Sequence, residues 1–281
     1  MILLLQQLQY KHKQEGVSTV KYCMFSQSKL GFIGAGKMVS AMVSSLLRSG
    51  SFKPENLVCC SANDGTSERL SKKTGILHAI SIPELLVLEP DVLILGCKPQ
   101  QLTEVSSVLY DKKVESIILS IMAGITLGRL SDSFPNAQNV IRSMPNTPGQ
   151  IGAGITGFVF LNSPSKLEHR LITSILSSLG ESFELKSEED IDRITAISGS
   201  GPAYLFEFTC ALECAAKEIG LPEKLANKFA LQTVCGASKL LTNSGLHPEE
   251  LRDQVTSPKG TTQAALESLE KNNLRKIVQD A

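Results

Sequence analysis

The chain has no tryptophan, only 5% aromatic residues and no net charge, its 28 Lys and Arg balancing 28 Asp and Glu over 281 residues. Proteins that coat nucleic acid or lie on an anionic bilayer carry a basic excess, so neither partner is expected. Long apolar runs are missing as well: stretches such as Ser116 to Ile125 fall short of the roughly 20 residues of a membrane helix. The four histidines (His12, His78, His169, His247) are isolated and lack the spacing of metal ligands. Seven cysteines make an odd number with no CxxC pair, in a chain too large to depend on disulfides. Free thiols in a reducing compartment are expected, which points to the cytoplasm, with the mitochondrion as the alternative. No GxSxG elbow follows a strand, which argues against a Ser-His-Asp hydrolase.

What is present is a globular composition, 42% hydrophobic, and a length that at roughly 150 residues per domain gives about two domains. Residues 1–28 are Gln-rich, with Lys11, Lys13, Lys21 and Glu15 but no arginine. They fit neither a secretory signal nor an Arg-rich presequence and are read as a disordered tail, with Met24 a second candidate start.

Over 29–185, short apolar runs alternate with helical patterns. Lys29 to Ile33 runs into Gly34-Ala35-Gly36, and Met38, Val39, Met42, Val43, Leu46 and Leu47 follow at helical spacing. Strands are expected at Leu57 to Ser61, near Ile76, at Asp91 to Gly96 and at Ser116 to Ile121. Helices are expected near Thr66 to Lys73, Ile82 to Leu88 and Pro99 to Tyr110. Apolar strands separated by helices indicate a parallel sheet covered on both faces, hence a Rossmann-type doubly wound α/β domain that binds a dinucleotide. Gly34 permits the tight turn, Gly36 lets backbone approach a pyrophosphate, and the helix behind them offers unpaired N–H groups. The third position of the fingerprint is Val39, expected to loosen helix-on-strand packing slightly.

The second strand ends without an acid. Ser61 and Asn63 are neutral groups able to bond a 2′-phosphate, and Arg69, Lys72 and Lys73 lie beyond, so NADPH is favoured, with NADH as the alternative. Gly96-Cys97-Lys98-Pro99 and Met122-Ala123-Gly124 fall at strand carboxyl ends, where ligands of open sheets bind. In the stiff turn Arg142 to Gly149, Asn146 is a candidate for bonding substrate or the nicotinamide amide.

Residues 186–281 are read as an all-helical domain. One helix from Pro202 to Ile219 is expected to bury Ala203, Leu205, Phe206, Ala211, Leu212 and Ala215. A second starts at Pro222 and runs to about Thr242. Small residues on several faces suggest dimerisation. Asp253 to Gln263 gathers hydroxyls and backbone N–H groups at the start of a helix expected from near Thr261, a carboxylate site.

Taken together, Gly31-Phe-Ile-Gly-Ala-Gly-Lys-Met38, Gly96-Cys-Lys-Pro99, Arg142-Ser-Met-Pro-Asn-Thr-Pro148, Ser198-Gly-Ser-Gly-Pro-Ala-Tyr204 and Val255-Thr-Ser-Pro-Lys-Gly-Thr-Thr262 resemble the pyrroline-5-carboxylate reductases in order and spacing, over residues 29 to 281. The resemblance implies a Rossmann domain followed by a helical domain that interlocks with a second protomer in a homodimer or higher homo-oligomer. It implies NAD(P)H-dependent reduction of L-1-pyrroline-5-carboxylate to L-proline, the last step of proline biosynthesis. It assigns Ile33, Gly34, Ala35, Gly36, Lys37, Met38, Ser61, Cys97, Lys98 and Ala123 to the cofactor; Asn63, Gly96, Pro99 and Gly124 join them on position in the chain. It assigns Ser257, Gly260, Thr261 and Thr262 to the substrate across the dimer interface, with the Thr262 hydroxyl near the ring nitrogen as the catalytic group; Asn146 is added from the turn. An imine accepts a proton readily, so no histidine is needed.

Three departures from the family pattern stand out. Lys259 replaces the glycine of SPGG, the asparagine expected near Ser81 and Pro83 is missing, and the closing helix from about Leu274 is cut by the end of the chain at Ala281. Two alternatives remain beside the reductase. One is a reductase on another small carboxylate, against which the first long helix carries Tyr204, Glu207 and Glu213 in place of a catalytic lysine and asparagine. The other is a catalytically weak NADPH-binding or interaction protein.

Overall fold

The computed structural model describes residues 25–111 and 114–281. Eight strands form one sheet: β1 (Leu30–Ile33), β2 (Leu57–Cys60), β3 (Leu77–His78), β4 (Val92–Leu95), β5 (Ile117–Ser120), β6 (Val140–Met144), β7 (Gly154–Phe160) and β8 (Gly180–Glu184). Their spatial order is β3-β2-β1-β4-β5-β6-β7-β8. The first six run parallel; β7 pairs antiparallel with β6, and β8 parallel with β7. The reversal follows from a short link, since Pro145 to Ala153 holds only a turn of 3-10 helix and a parallel return needs a longer crossover.

Crossover helices cover both faces: α1 (Lys37–Arg48), α2 (Thr66–Thr74), α3 (Ile82–Leu85), α4 (Leu102–Asp111), α5 (Leu127–Ser133), α6 (Lys166–Leu176) and α7 (Glu188–Ile194). Strand alternation separates two cores. Leu30, Phe32, Cys59, Ile94 and Leu119 pack under α1 and α6, whereas Ile33, Cys60, Leu93, Leu95 and Ile118 pack under α4 and α5. On α1, Val39, Met42, Val43 and Leu46 are all buried, each contributing about 1.5–3 kcal/mol by removal of its apolar surface from water. The expected doubly wound sheet is therefore present. β6, β7 and β8 extend it beyond the strands read from the sequence.

The expectation of a disordered tail over 1–28 lies, up to residue 24, outside the described residues. Phe25 is buried against Phe52, with ring centroids 6.4 Å apart, and Asn56 Nδ2 donates to the Ser26 carbonyl at 2.7 Å. Residues 25–28 thus pack on the sheet unit rather than extend from it, because the Phe25 ring finds an apolar site.

The chain divides into two compact units, one ending at Ala203 and the other spanning Tyr204–Ala281. In this division α7 falls with the sheet unit. The second unit is helical: α8 (Gly201–Glu218, its first turn preceding the division), α9 (Glu223–Ser244), α10 (Pro248–Gln254), α11 (Thr261–Lys271) and α12 (Leu274–Asp280). Asn227 Nδ2 donates to Glu213 Oε2 at 2.8 Å, tying α9 to α8, and Arg275 reaches Glu249 at 2.7 Å, tying α12 to α10.

One expectation is corrected in this unit. The apolar residues of α8 are not buried within one chain: Leu205 is 45% exposed and Phe206 62%. On α9, Phe229 and Leu231 are also exposed. Helices this apolar close their core only against another surface. No described helix is long and apolar enough to cross a membrane.

Candidate functional site

The order of the sheet reverses between β1 and β4, which opens a crevice at the carboxyl ends of β1, β2 and β4. A cavity of ≈ 510 Å³ lies there, lined by Ile33, Gly34, Ala35, Gly36, Ser61, Gly96, Cys97 and Lys98 among the residues singled out by sequence. A larger cavity of ≈ 770 Å³ lies where Asp91 and Ser116 precede their strands. That edge carries the strand amino ends and Glu89, Asp91, Glu115 and Glu168, so its position and charge are unsuited to an anionic dinucleotide.

The two glycines of the turn serve different ends. Gly34 sits at φ +103°, and a Cβ there would lie 2.6 Å from the Gly96 carbonyl carbon and oxygen. Its N–H donates to the Cys60 carbonyl at 2.8 Å, and Gly96 N–H to that of Ile33 at 2.9 Å, so the three strand ends meet around it. Gly36 has an ordinary backbone, φ −68° and ψ −177°. Nothing lies within 4 Å of a Cβ built there, so its hydrogen leaves room at the head of α1. That helix has no side-chain cap and no acid in its first turn, leaving its orphan N–H groups for an anion. Val39 fills rather than loosens the packing: it is 1% exposed, and its Cγ2 occupies the space a Cβ on Gly96 would need, 2.3 Å away.

At the end of β2 the structure adds a residue that is not among the sequence candidates. Asp64 lines the cavity, and its Oδ1 accepts from Thr66 Oγ1 at 2.6 Å, Thr66 N–H at 2.9 Å and Ser61 Oγ at 3.1 Å. The Thr66 hydroxyl and N–H hold the Asp64 carboxyl below its ordinary range. Arg69 donates to the Asp64 carbonyl at 3.4 Å. Lys72 is paired with Glu68 at 2.7 Å, and the cavity wall does not include Asn63. Ser81, Ile82 and Pro83 complete this side.

Burial favours the protonated form of both thiols of the crevice. Burial, reinforced by Cys59 and Cys97, pushes the Cys60 thiol up to about 12, and burial also raises Cys97. Cys97 Sγ lies 3.8 Å from Met122 Sδ.

Other candidates sit outside the cavity wall. Lys37 and Met38 open α1, Pro99 begins a 3-10 turn, and Ala123 and Gly124 lie in the loop after β5. Asn146 is engaged at both ends of its amide, donating to the Ser198 carbonyl at 3.1 Å and accepting Ile155 N–H at 3.0 Å.

In the second unit, Gly260 caps α11 with no side-chain cap, and the first turn, Thr261 to Gln263, carries no acid. Gly260 N–H donates to the Ser257 carbonyl at 3.0 Å, Lys259 N–H to Gln263 Oε1 at 2.7 Å. Lys259 adopts φ +60°, a left-handed conformation uncommon for a residue with a side chain. The loop therefore closes on itself and leaves the helix head open.

The order of these motifs matches proteins of known activity. Residues 188–281 match the family model described as pyrroline-5-carboxylate reductase dimerisation, and residues 29–124 one described as NADP oxidoreductase, coenzyme F420-dependent. Pyrroline-5-carboxylate reductase 1 of Bacillus subtilis is 37% identical over 253 residues, covering 89% of this chain and 84% of the relative. The chain belongs to the pyrroline-5-carboxylate reductase family.

The reductase of Arabidopsis thaliana is 35% identical over 90% of this chain and 91% of its own. Among solved structures, a pyrroline-5-carboxylate reductase from Coxiella burnetii superposes with a TM-score of 0.79 at 31% identity, over 90% of this chain and 94% of that one. A Plasmodium falciparum pyrroline carboxylate reductase with NADP bound gives 0.78 at 29% identity, over 91% and 94%. The match to a dimerisation domain accords with the exposed apolar helices of the second unit and supports a homo-oligomer.

Proposed function

We propose that this chain reduces L-1-pyrroline-5-carboxylate to L-proline with a nicotinamide cofactor, the last step of proline biosynthesis. The observation that carries the reading is the open space at Gly36, at the head of the uncapped helix that follows β1, in a chain 37% identical to a reductase of that name. A pyrophosphate fits there because backbone N–H groups and the helix dipole meet it and no side chain intervenes.

In this reading Gly34, Ala35, Gly36, Lys37 and Met38 hold the pyrophosphate. Ser61 with its neighbours holds the adenosine ribose, and Cys97, Lys98, Ala123 and Gly124 line the path to the nicotinamide. NADPH is the proposed reductant, assisted by Arg69, while the Asp64 carboxylate keeps NADH usable. The bound cofactor supplies the hydride. Ser257, Gly260, Thr261 and Thr262 hold the substrate carboxylate on N–H and hydroxyl donors at the head of α11, which fixes the ring. The Thr262 hydroxyl orients the ring nitrogen and its proton. Asn146, with both ends of its amide engaged, is assigned to holding the turn after β6. Six described cysteines carry free thiols, and a reducing compartment, the cytoplasm, suits them.

Steady-state turnover with proline identified as product tests the proposal, with Thr262→Ala as partner. The variant should lose about a hundredfold in kcat, the lower range for a positioned proton donor, while its KM for cofactor stays within twofold. Cofactor binding without turnover in the wild type would favour the NADPH-binding protein instead.

A further inference from the structure

Where β6 leaves the sheet, the polar side chains of Arg142 to Asn146 are each committed to a different element. Arg142, with 3% of its side chain exposed, donates from Nη1 to Glu188 Oε1 at 2.8 Å and from Nη2 to Asp192 Oδ1 at 2.6 Å. Ser143 Oγ donates to the Ser120 carbonyl at the end of β5 at 2.8 Å. Asn146 holds Ser198, in the π-helical turn Thr195–Gly199 that follows α7.

Glu188 does more than pair with Arg142. The same Oε1 accepts the N–H of Leu127, 61 residues earlier in the chain, at 2.7 Å. Leu127 is the first residue of α5, whose opening N–H groups have no partner within the helix. The Thr126 side chain caps the Arg129 N–H, and Glu188 takes that of Leu127. The backbone held in this way is the loop from Ile121 to Thr126, which carries Ala123 and Gly124, the latter at φ +72°.

We infer that Glu188 is a positioning residue for the nicotinamide cofactor: one carboxylate oxygen, fixed by the buried Arg142, holds the loop after β5 in the conformation that receives the cofactor. The inference rests on the reading of Ala123 and Gly124 as cofactor contacts. Removing the Glu188 carboxylate leaves Arg142 still paired with Asp192, so the buried guanidinium is not orphaned. The Leu127 N–H, by contrast, loses its acceptor and the loop its tether. The two partners of Arg142 therefore have different consequences, one for the loop and the other for the fold alone.

The test compares Glu188→Ala, Glu188→Gln and Asp192→Ala in the full chain, by thermal melting, steady-state kinetics and equilibrium titration with NADPH. Glu188→Ala should raise the KM and Kd for NADPH about tenfold, the scale expected when a loop contact is displaced, with the KM for the imine within twofold. Glu188→Gln retains an oxygen at the same reach and should restore both constants to within about twofold of wild type. Asp192→Ala should lower the melting temperature and leave the cofactor constants unchanged. If the alanine variant fails to fold, Glu188→Asp carries the test, since its oxygens are withdrawn by one methylene and NADPH binding should weaken several-fold. Unchanged NADPH constants in Glu188→Ala, or in Glu188→Asp where alanine does not fold, or a glutamine variant as impaired as alanine, overturns the inference. The titration does not depend on turnover, so a wild type that binds NADPH but leaves the imine unreduced would sink the proposed reaction and leave this inference to be decided.

Discussion

Replacing Gly36 with alanine separates the binding role of the glycine turn from its folding role. Its backbone, φ −68° and ψ −177°, is open to any residue, and a Cβ would meet nothing within 4 Å. Stability should hold or rise by about 0.4–1 kcal/mol, because alanine restricts the unfolded chain. The same methyl group would stand where the pyrophosphate approaches the helix head. Losing one or two charge-assisted hydrogen bonds there, at about 1.5–3 kcal/mol each, weakens NADPH binding at least tenfold, since about 1.4 kcal/mol is one decade. Gly34→Ala makes the contrast. At φ +103°, with backbone atoms of Gly96 2.6 Å from the new Cβ, it combines about 1–3 kcal/mol of backbone strain with displacement of the β4 end. A loss of about 3–5 kcal/mol is expected, a large part of the 5–15 kcal/mol of a typical domain. Thermal melting and fluorescence titration with NADPH read both variants. A Gly36→Ala protein that binds NADPH as tightly as wild type, or a Gly34→Ala protein of unchanged stability, would refute the reasoning.

Val39 and Gly96 should behave as a coupled pair. Gly96→Ala overpacks against Val39 Cγ2 and should cost about 1–3 kcal/mol, but combined with Val39→Ala the loss should fall short of the sum by roughly 1 kcal/mol, as a denaturant double-mutant cycle can measure. Asp64→Asn should shift the ratio of kcat/KM for NADPH over NADH upward by about tenfold, and an unchanged ratio would remove Asp64 from cofactor choice. Its pKa in the fold lies below the ordinary 3.8, so the charged form prevails above that value and its bonds are lost only as pH falls through the lowered pKa. Titration of Asp64 should accordingly contribute no change in the preference for NADPH over NADH between pH 5 and 8, any change there following the 2′-phosphate, whose second pKa is about 6. Cys59 and Cys60, raised by burial to about 11 and about 12, should resist iodoacetamide at pH 8 until the protein is denatured, as peptide mass mapping would show; prompt native labelling of either would contradict the burial.

The part of the fold legible in the sequence was the part where pattern and environment coincide. β1, β2, β4 and β5 are buried on both faces, so their residues form unbroken apolar runs, and the glycine turn declares the first crossover. β6, β7 and β8 are harder to read. β6 carries the buried Arg142, β7 is interrupted by Gly157, and the edge strand β8 is mostly exposed with Glu181 and Glu184. Polar groups that are satisfied in three dimensions look like loop residues in one. Asp64 is hard to recognise in sequence because it lies beyond the strand end, and only the turn after β2, folding back, returns it to Ser61. Burial on α8 is illegible for the opposite reason, since apolar helix residues do not reveal whether their partner lies in the same chain.

The most direct test of the account is transfer of label. NADPH carrying deuterium at the transferable C4 position, incubated with L-1-pyrroline-5-carboxylate and the enzyme, should give L-proline one mass unit heavier, with the label on the ring carbon that was double-bonded to nitrogen. Unlabelled proline from both C4-labelled forms of the cofactor, or no proline from a protein that binds NADPH, would contradict hydride transfer to the imine as the work of this crevice.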